Sequence, residues 1–175
     1  MPNWCDNDVT IVGDTETVGK VLEFVKPKDD SDVKTKSDFS LHSIYPTPQD
    51  MLDGQGWYNW RIENWGTKWD VDAEIYDDYE YNDRRYICIR FESAWGPPQA
   101  AIEKLAIAFP EISIHHSYDE CGMDFSGYDI YKNGEVHNRV EYGFSVSNAT
   151  SSMRGPEYFE WNEDELPEVK GTKDA

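Results

Sequence analysis

The chain has 175 residues, which suits one domain with additions better than two small domains. With 35 acidic against 16 basic residues, its net charge of −19 disfavours direct binding to nucleic acid, because phosphates need clustered Lys and Arg. No apolar run approaches a membrane span, and the N-terminus lacks a basic region followed by an apolar one. We therefore expect a cytoplasmic protein that contacts neither nucleic acid nor a membrane.

The cysteines and histidines form no recognisable ligand set. Cys5, Cys88 and Cys121 are an odd number without Cys-x-x-Cys spacing, and the four histidines share no ligand spacing on one helix. A strand carrying Asp70, Asp72 and Glu74 could hold calcium, but such a row is usually a solvated face. We predict no metal and no cofactor.

The first quarter of the chain alternates strand and helix signals. Residues 7–12 read as a strand, and valines and a leucine at helical spacing over residues 18–25 predict a helix that ends before Pro27. Residues 28–38 are charged and indicate a surface loop, whereas residues 39–45 indicate a short strand or extended segment.

The next elements predict a hairpin. Residues 68–76 alternate, with Trp69 on the inward face and Lys68 and Asp70 on the outward one. A polar turn over residues 77–83 and a strand over residues 85–92 would follow.

The later elements complete a repeated pattern. A helix opens after Pro97-Pro98 and ends at Pro110, and residues 112–118 predict another strand. Asn133-Gly134 is a tight-turn signal for a terminal hairpin, and residues 49–56 could hold one helical turn.

The order strand–helix–strand–strand–helix–strand predicts an α+β, ferredoxin-like antiparallel sheet with two helices on one face, plus a Trp-rich insertion and a C-terminal hairpin. We expect one domain over residues 1–147, with the insertion around residues 46–67. Residues 148–175 form an acidic tail, which we expect to be partly disordered or docked through its aromatic rings. In this topology the first strand lies between the third and fourth, so residues 3–5 should lie near residues 93–95 and 119–121.

Four tryptophans fall within residues 57–70, interleaved with Asn, Arg, Lys and carboxylates. Such a cluster is either a local core that anchors the insertion or a recognition surface, because Trp, Tyr and Arg dominate binding hot spots. Topology would bring this segment to the same rim as residue 95 and residue 120. The candidate binding residues are Trp57, Tyr58, Trp60, Asn64, Trp65, Lys68, Asp70, Trp95 and Glu120.

Four short motifs carry a family resemblance. Residues 1–7 (Met-Pro-Asn-Trp-Cys-Asp-Asn), 64–70 (Asn-Trp-Gly-Thr-Lys-Trp-Asp), 94–98 (Ala-Trp-Gly-Pro-Pro) and 109–110 (Phe-Pro) together resemble the YubB-like family of ferredoxin-like proteins of phages and plasmids. The resemblance covers most of residues 1–127. It implies an origin in a mobile genetic element, and it carries over no catalytic residues.

The sequence favours a binding protein over an enzyme. No phosphate-binding Gly-rich loop, Gly-x-Ser-x-Gly or His-Glu-x-x-His occurs, and no catalytic residue is assigned. We expect a non-enzymatic accessory protein that binds a host or defence protein, with a basic surface, through a Trp-rich acidic surface, as an inhibitor or nucleic-acid mimic. The alternatives are a protein that binds or sequesters a nucleotide-like small molecule, or an enzyme that uses the same rim.

Overall fold

The computed structural model describes residues 3–28 and 36–151, and these form a six-stranded antiparallel sheet in the order β2-β3-β1-β4-β5-β6. The central strand β1 pairs with both β3 and β4, which is the predicted ferredoxin-like arrangement, and β5 and β6 extend it. The strands are β1 (Trp4–Gly13), β2 (Glu74–Tyr81), β3 (Arg84–Ala94), β4 (Ser113–Glu120), β5 (Phe125–Lys132) and β6 (Glu135–Tyr142).

The helices cover one face of this sheet. They are α1 (Thr15–Val25), α2 (Leu41–Ile44), α3 (Gln49–Leu52), α4 (Trp57–Trp65), α5 (Gln99–Ala108) and α6 (Val146–Ser151), of which α6 lies apart from that layer. The predicted stripes of α1 and α5 are buried against the inward residues of β1 and β3, because both helices have their apolar side chains at helical spacing. Asp14 begins α1 by accepting a hydrogen bond from the Thr17 amide at 2.9 Å.

The first hairpin lies further along the chain than predicted. Residues 68–73 lie outside the sheet, with a bend that includes Lys68 and Trp69, and β2 continues through the expected turn to Tyr81. The turn consists of Asn82 and Asp83, which have φ angles of 49° and 59° and so connect the strands as a tight hairpin. The prediction of sheet pairing is wrong for residues 68–73 and is confirmed for Glu74 and Ile75, which pair with β3. Val71 and Ala73 are buried as predicted.

The segment 39–45 is not a strand. It forms the short helix α2, because the Asp70 carboxylate accepts hydrogen bonds from the Ser40 hydroxyl and from the Leu41 and His42 amides. A carboxylate placed on these amides satisfies donors that a helix leaves free at its start. Ser40 is also a local cap, because its hydroxyl accepts a hydrogen bond from the Ser43 amide at 3.2 Å. The Asp70 contact comes from a residue about thirty positions away, so only that part of the cap has no signal in the local sequence.

Tyrosine rings line part of the sheet face that carries no helix layer. Tyr79 stacks on Tyr86 with ring centroids 5.0 Å apart, and Tyr76 lies beneath the Arg90 guanidinium. Asp70 and Asp72 are absent from this face because they precede β2.

The second hairpin is the predicted one. Asn133 and Gly134 both have positive φ, at 55° and 76°, so a glycine at the second position avoids steric strain. The predicted boundary at residue 147 stays a prediction, and the expectations for residues 152–175 lie outside the described residues. In the described part of the chain, no helix is both long enough and apolar enough to cross a membrane.

Candidate functional site

Three tryptophans from separate segments meet at one end of the sheet. Trp4 begins β1, Trp69 follows α4, and Trp95 follows β3; the Trp4 and Trp69 ring centroids are 6.0 Å apart. The ammonium of Lys68 lies 3.9 Å from the centroid of Trp69 and 5.5 Å from that of Trp95. We call these four residues the Trp rim. A lysine between two indole faces is a cation–π arrangement, which orients both the charge and the rings.

The rim rings are exposed to solvent. Trp4, Trp69 and Trp95 keep 45%, 40% and 44% of their surface accessible. Isolated exposed apolar residues are ordinary, whereas adjacent ones mark contact surfaces. The rim is therefore the part of the predicted site that a partner can reach.

The end of α4 directs the chain toward the rim. Gly66 ends the helix in the left-handed conformation, at φ 92°, and a Cβ there would lie 2.8 Å from the Pro97 carbonyl oxygen. The Thr67 hydroxyl then donates to the Ala94 carbonyl at 2.9 Å. These contacts fix the Asn-Trp-Gly-Thr-Lys-Trp motif against the loop that follows β3, which places Lys68 beside Trp95.

Trp95 itself has a strained backbone. Its φ is 74°, a conformation that costs a bulky residue on the order of 1–3 kcal/mol, and its amide donates to the Asn3 carbonyl at 2.9 Å. Strained residues of this kind concentrate at functional sites, since only the surrounding structure holds them. A glycine would adopt this φ without strain, yet the position carries a tryptophan whose indole is exposed.

The predicted residues on α4 form a separate, inward cluster. Trp65 is fully buried and its indole N–H donates to the Tyr45 carbonyl at 2.8 Å. The Arg61 guanidinium lies 4.6 Å from the centroid of Trp65 and 5.3 Å from that of Trp57. We call Trp57, Trp60, Arg61 and Trp65 the α4 cluster.

The remaining predicted residues, Asn64 and Tyr58, contact other residues of α4. The Asn64 side-chain amide donates to the Trp60 carbonyl at 2.8 Å, and the Tyr58 ring packs against Trp57. Tyr58 is the exposed aromatic residue of this group.

Two predicted site residues are structural caps. Asp70, expected on an outward surface, bonds α2, and its burial raises the pKa of its carboxyl although hydrogen bonds oppose that shift. Glu120 is buried and its carboxylate accepts from the Gly122 and Met123 amides. Both carboxylates have their oxygens occupied, so they shape the rim without facing a partner.

A buried polar network runs beneath the rim. The Asn7 side-chain amide donates to the Ser93 hydroxyl at 2.8 Å, and its oxygen lies 2.9 Å from His116 Nε2. Burial lowers the pKa of His116 to about 4, so its imidazole is neutral at pH 7. Burial and the nearby carboxylate of Glu120 raise the pKa of the Cys5 thiol to about 12, which makes a thiolate nucleophile there unfavourable.

A second buried network lies under β5. The Asp129 carboxylate is fully buried and accepts from Arg139, Tyr131 and Gln99, at 2.8, 2.9 and 2.9 Å to their nearest atoms. Hydrogen bonding to this carboxylate raises the pKa of the Arg139 guanidinium further. In the sequence Asp129 stands between Tyr128 and Ile130, so the strand pattern does not show which face of the sheet it occupies. The register of β5 shows this.

The candidate binding residues predicted from the sequence omit Trp4 and Trp69, which the structure places in the Trp rim. Trp69 was expected inward, but the chain enters the sheet only at Glu74, so residue 69 escapes the strand alternation. Trp4 lies on the same side of β1 as Asp6 and Asp8, opposite the buried Cys5 and Asn7. That alternation was the available signal for its outward direction.

An acidic groove borders the rim on the open sheet face. It encloses about 380 Å³ between β1, β4 and the start of α6, and Asp6, Asp8, Arg90, Ser117, Asp119 and Ser147 line it. Asp119 is held by the amides of Val146 and Ser147, so it fixes α6 as one wall. Within residues 3–28 and 36–151, no three His, Cys, Asp or Glu side chains converge as metal ligands do.

The later part of the chain is similar to a known protein family. Residues 64–149 match a family model described as the ferredoxin-like domain in Api92-like protein. The crystal structure of a protein api92 from Yersinia pseudotuberculosis is similar, with a TM-score of 0.58 over 81% of this chain and 98% of that one, at 13% identity. An identity this low supports the fold alone. No curated protein matches the sequence.

The matched segment begins within α4 and contains Lys68, Trp69 and Trp95, whereas Trp4 and β1 precede it. The comparisons therefore support the ferredoxin-like assignment, and they do not support the narrower YubB-like name. The chain has a ferredoxin-like fold, and its residues 64–149 are similar to the ferredoxin-like domain in Api92-like protein.

Proposed function

We propose that the protein is a non-enzymatic binding protein that engages a partner protein through the Trp rim. The observation that carries the proposal is the exposure of three indoles around one oriented ammonium, at a position where Trp95 is held in a strained conformation. Trp and Tyr anchors surrounded by polar groups are the usual centre of a protein interface. The acidic groove beside the rim adds charge to this apolar contact.

The partner we favour is a host or defence protein in the cytoplasm, contacted by a protein of phage or plasmid origin. The motifs at residues 1–7 and 64–70 support that origin through the resemblance they carry. A net charge of −19 supports a partner with a basic surface, since opposite charges steer association. Inhibition of that partner, or imitation of nucleic acid in its basic cleft, follows from the same charge.

Site-specific photo-crosslinking tests the proposal. A benzoylphenylalanine placed at position 69 should crosslink a discrete protein in cells, whereas the same probe at Tyr58 should not, because Tyr58 is exposed on α4 outside the rim. Trp95→Ala should abolish the crosslink from position 69 while the protein remains folded. Equal crosslinking from positions 58 and 69, insensitive to Trp95→Ala, would contradict the proposal.

A nucleotide-like ligand is the second candidate. The observation in its favour is Lys68, whose ammonium between two indoles could meet a phosphate while a base stacks on Trp69. Titration of tryptophan fluorescence with nucleotides and cyclic nucleotides separates the two candidates. A saturable change in fluorescence that Lys68→Ala removes would support nucleotide binding. No change in fluorescence would exclude nucleotide binding and favour the protein interface.

A further inference from the structure

We infer that the partner of the Trp rim inserts a basic side chain, arginine or lysine, into the acidic groove beside Trp4. This inference rests on the proposed function and names the chemistry of the surface that the rim meets. Trp4 and Asp6 lie on the same side of β1, two residues apart, and Asp6 lines the groove. A partner segment that packs on the Trp4 indole would therefore lie next to the groove.

Three acidic residues are neighbours on three adjacent strands: Asp6 and Asp119 line the groove, and Glu92 lies next to Asp6 at its edge. Asp6 is the direct neighbour of Glu92 on β3 and of Asp119 on β4. Asp119 is used by α6, but the carboxylates of Asp6 and Glu92 have no hydrogen-bond or ion-pair partner in the described part of the chain. Like charges directly opposite on neighbouring strands destabilise a sheet, so this arrangement opposes folding and is relieved by an added cation.

The neighbouring pair shows how the same face holds a cation. Asp8, one pair further along β1, accepts from the Tyr76 hydroxyl at 2.9 Å and from Arg90 at 3.4 Å. Arg90 thus pairs with Asp8, whereas the Asp6–Glu92 pair beside it has no cationic partner among the residues that the structure describes. A guanidinium or ammonium from a partner would complete the row.

The groove suits a side chain better than a metal ion or a second copy of this chain. The carboxylates of Asp6, Glu92 and Asp119 stand on separate neighbouring strands, whereas a divalent ion needs oxygens that converge on one point. A second copy with a charge of −19 would bring more carboxylates to the same face. A basic protein segment satisfies both the indoles of the rim and the carboxylates beside them.

A peptide of alternating arginine and glycine serves as the probe, with binding followed by two-dimensional NMR of the labelled full chain. We expect shifts at the Trp4 indole and at the Asp6 and Glu92 amides. Neutralising both carboxylates, as Asp6→Asn with Glu92→Gln, should weaken binding about tenfold, the scale of two lost exposed ion pairs. The same double variant should melt no lower than the parent, since it removes a like-charge contact.

The matched control is Glu80→Gln with Asp83→Asn, which removes two charges at the far end of β2 and its turn. Binding within about twofold of the parent is expected there, because these charges lie outside the groove. Equal weakening in both double variants would show attraction to net charge alone and overturn the inference. So would binding that is unchanged by Asp6→Asn with Glu92→Gln, or displacement of the peptide by calcium. If position 69 still crosslinks its partner while the carboxylates prove dispensable, the inference fails and the proposed function stands.

Discussion

The α4 cluster and the Trp rim both combine three tryptophans with one basic residue, but they differ in how far their rings are buried. In the α4 cluster, Trp65 is fully buried, its N–H has an acceptor, and Arg61 lies against its face. In the rim, Lys68 lies against Trp69, but the rings keep roughly two-fifths of their surface exposed. A cation over an indole therefore does not distinguish a scaffold from a contact surface. Exposure of the ring distinguishes them.

The largest expected difference between the two regions is in stability. Trp65→Ala should lower the free energy of unfolding by about 3–5 kcal/mol, because it leaves a cavity in the core and removes the donor to the Tyr45 carbonyl. Trp69→Ala should cost well under half as much, since its ring is already partly hydrated. Urea unfolding of both variants measures this, and equal losses would remove the distinction between cluster and rim.

Asp70 tests whether the segment before the sheet is scaffold. Asp70→Ala should destabilise by about 2 kcal/mol, because the α2 amides and the Ser40 hydroxyl lose their acceptor. Asp70→Asn is the matched control, since it keeps one acceptor oxygen and should lose less. Thermal melts of both variants decide the matter. A melting temperature unchanged in Asp70→Ala would restore Asp70 to the outward surface that its alternation predicted.

Acid should lower the stability of the protein through the buried His116, which lies outside the Trp rim. The pKa of His116 is about 4 in the folded protein, below the ordinary value of 6.5, so the unfolded chain binds the proton first as pH falls. Stability from this residue is fully present above pH 6.5 and is lost as pH falls toward 4. Between pH 7 and 5.5 the loss should be about 1 kcal/mol. His116→Gln should flatten that part of the stability profile measured by urea unfolding, and an unchanged profile would contradict the buried neutral imidazole.

Trp95 gives the smallest expected effect and sharpens the strain argument. At an ordinary position glycine is less stable than alanine, but at φ 74° glycine avoids the clash of a Cβ. Trp95→Gly should therefore be more stable than Trp95→Ala by about 1 kcal/mol. Both variants lack the indole and should bind equally poorly. The opposite order of melting temperatures would show that Trp95 is not strained.

The sheet and its two main helices were predictable because they depend on local periodicity. The stripe of α1, the stripe of α5 and the Asn133-Gly134 turn each reflect spacing within a few residues. Pairing of β1 with β3 and β4 followed from the order of these elements, and it brought Trp4 beside Ala94 as expected.

The site was less predictable because it depends on contacts between distant segments. Alternation over residues 68–76 gave the burial of Val71 and Ala73 correctly but gave the outward or inward direction of Trp69 and Asp70 wrongly. Asp70 is turned by its bonds to residues 40–42, and Trp69 by its contact with Trp4. Neither contact leaves a trace in the spacing of its own segment.

Fluorine NMR of the chain labelled with 5-fluorotryptophan, with each signal assigned by substitution, tests the account most directly. Once the crosslinked partner has been purified, its addition should shift or broaden the signals of Trp4, Trp69 and Trp95, while that of Trp65 stays in place. Signals of the α4 cluster that move while those of the rim do not would contradict the assignment of the rim as the binding surface.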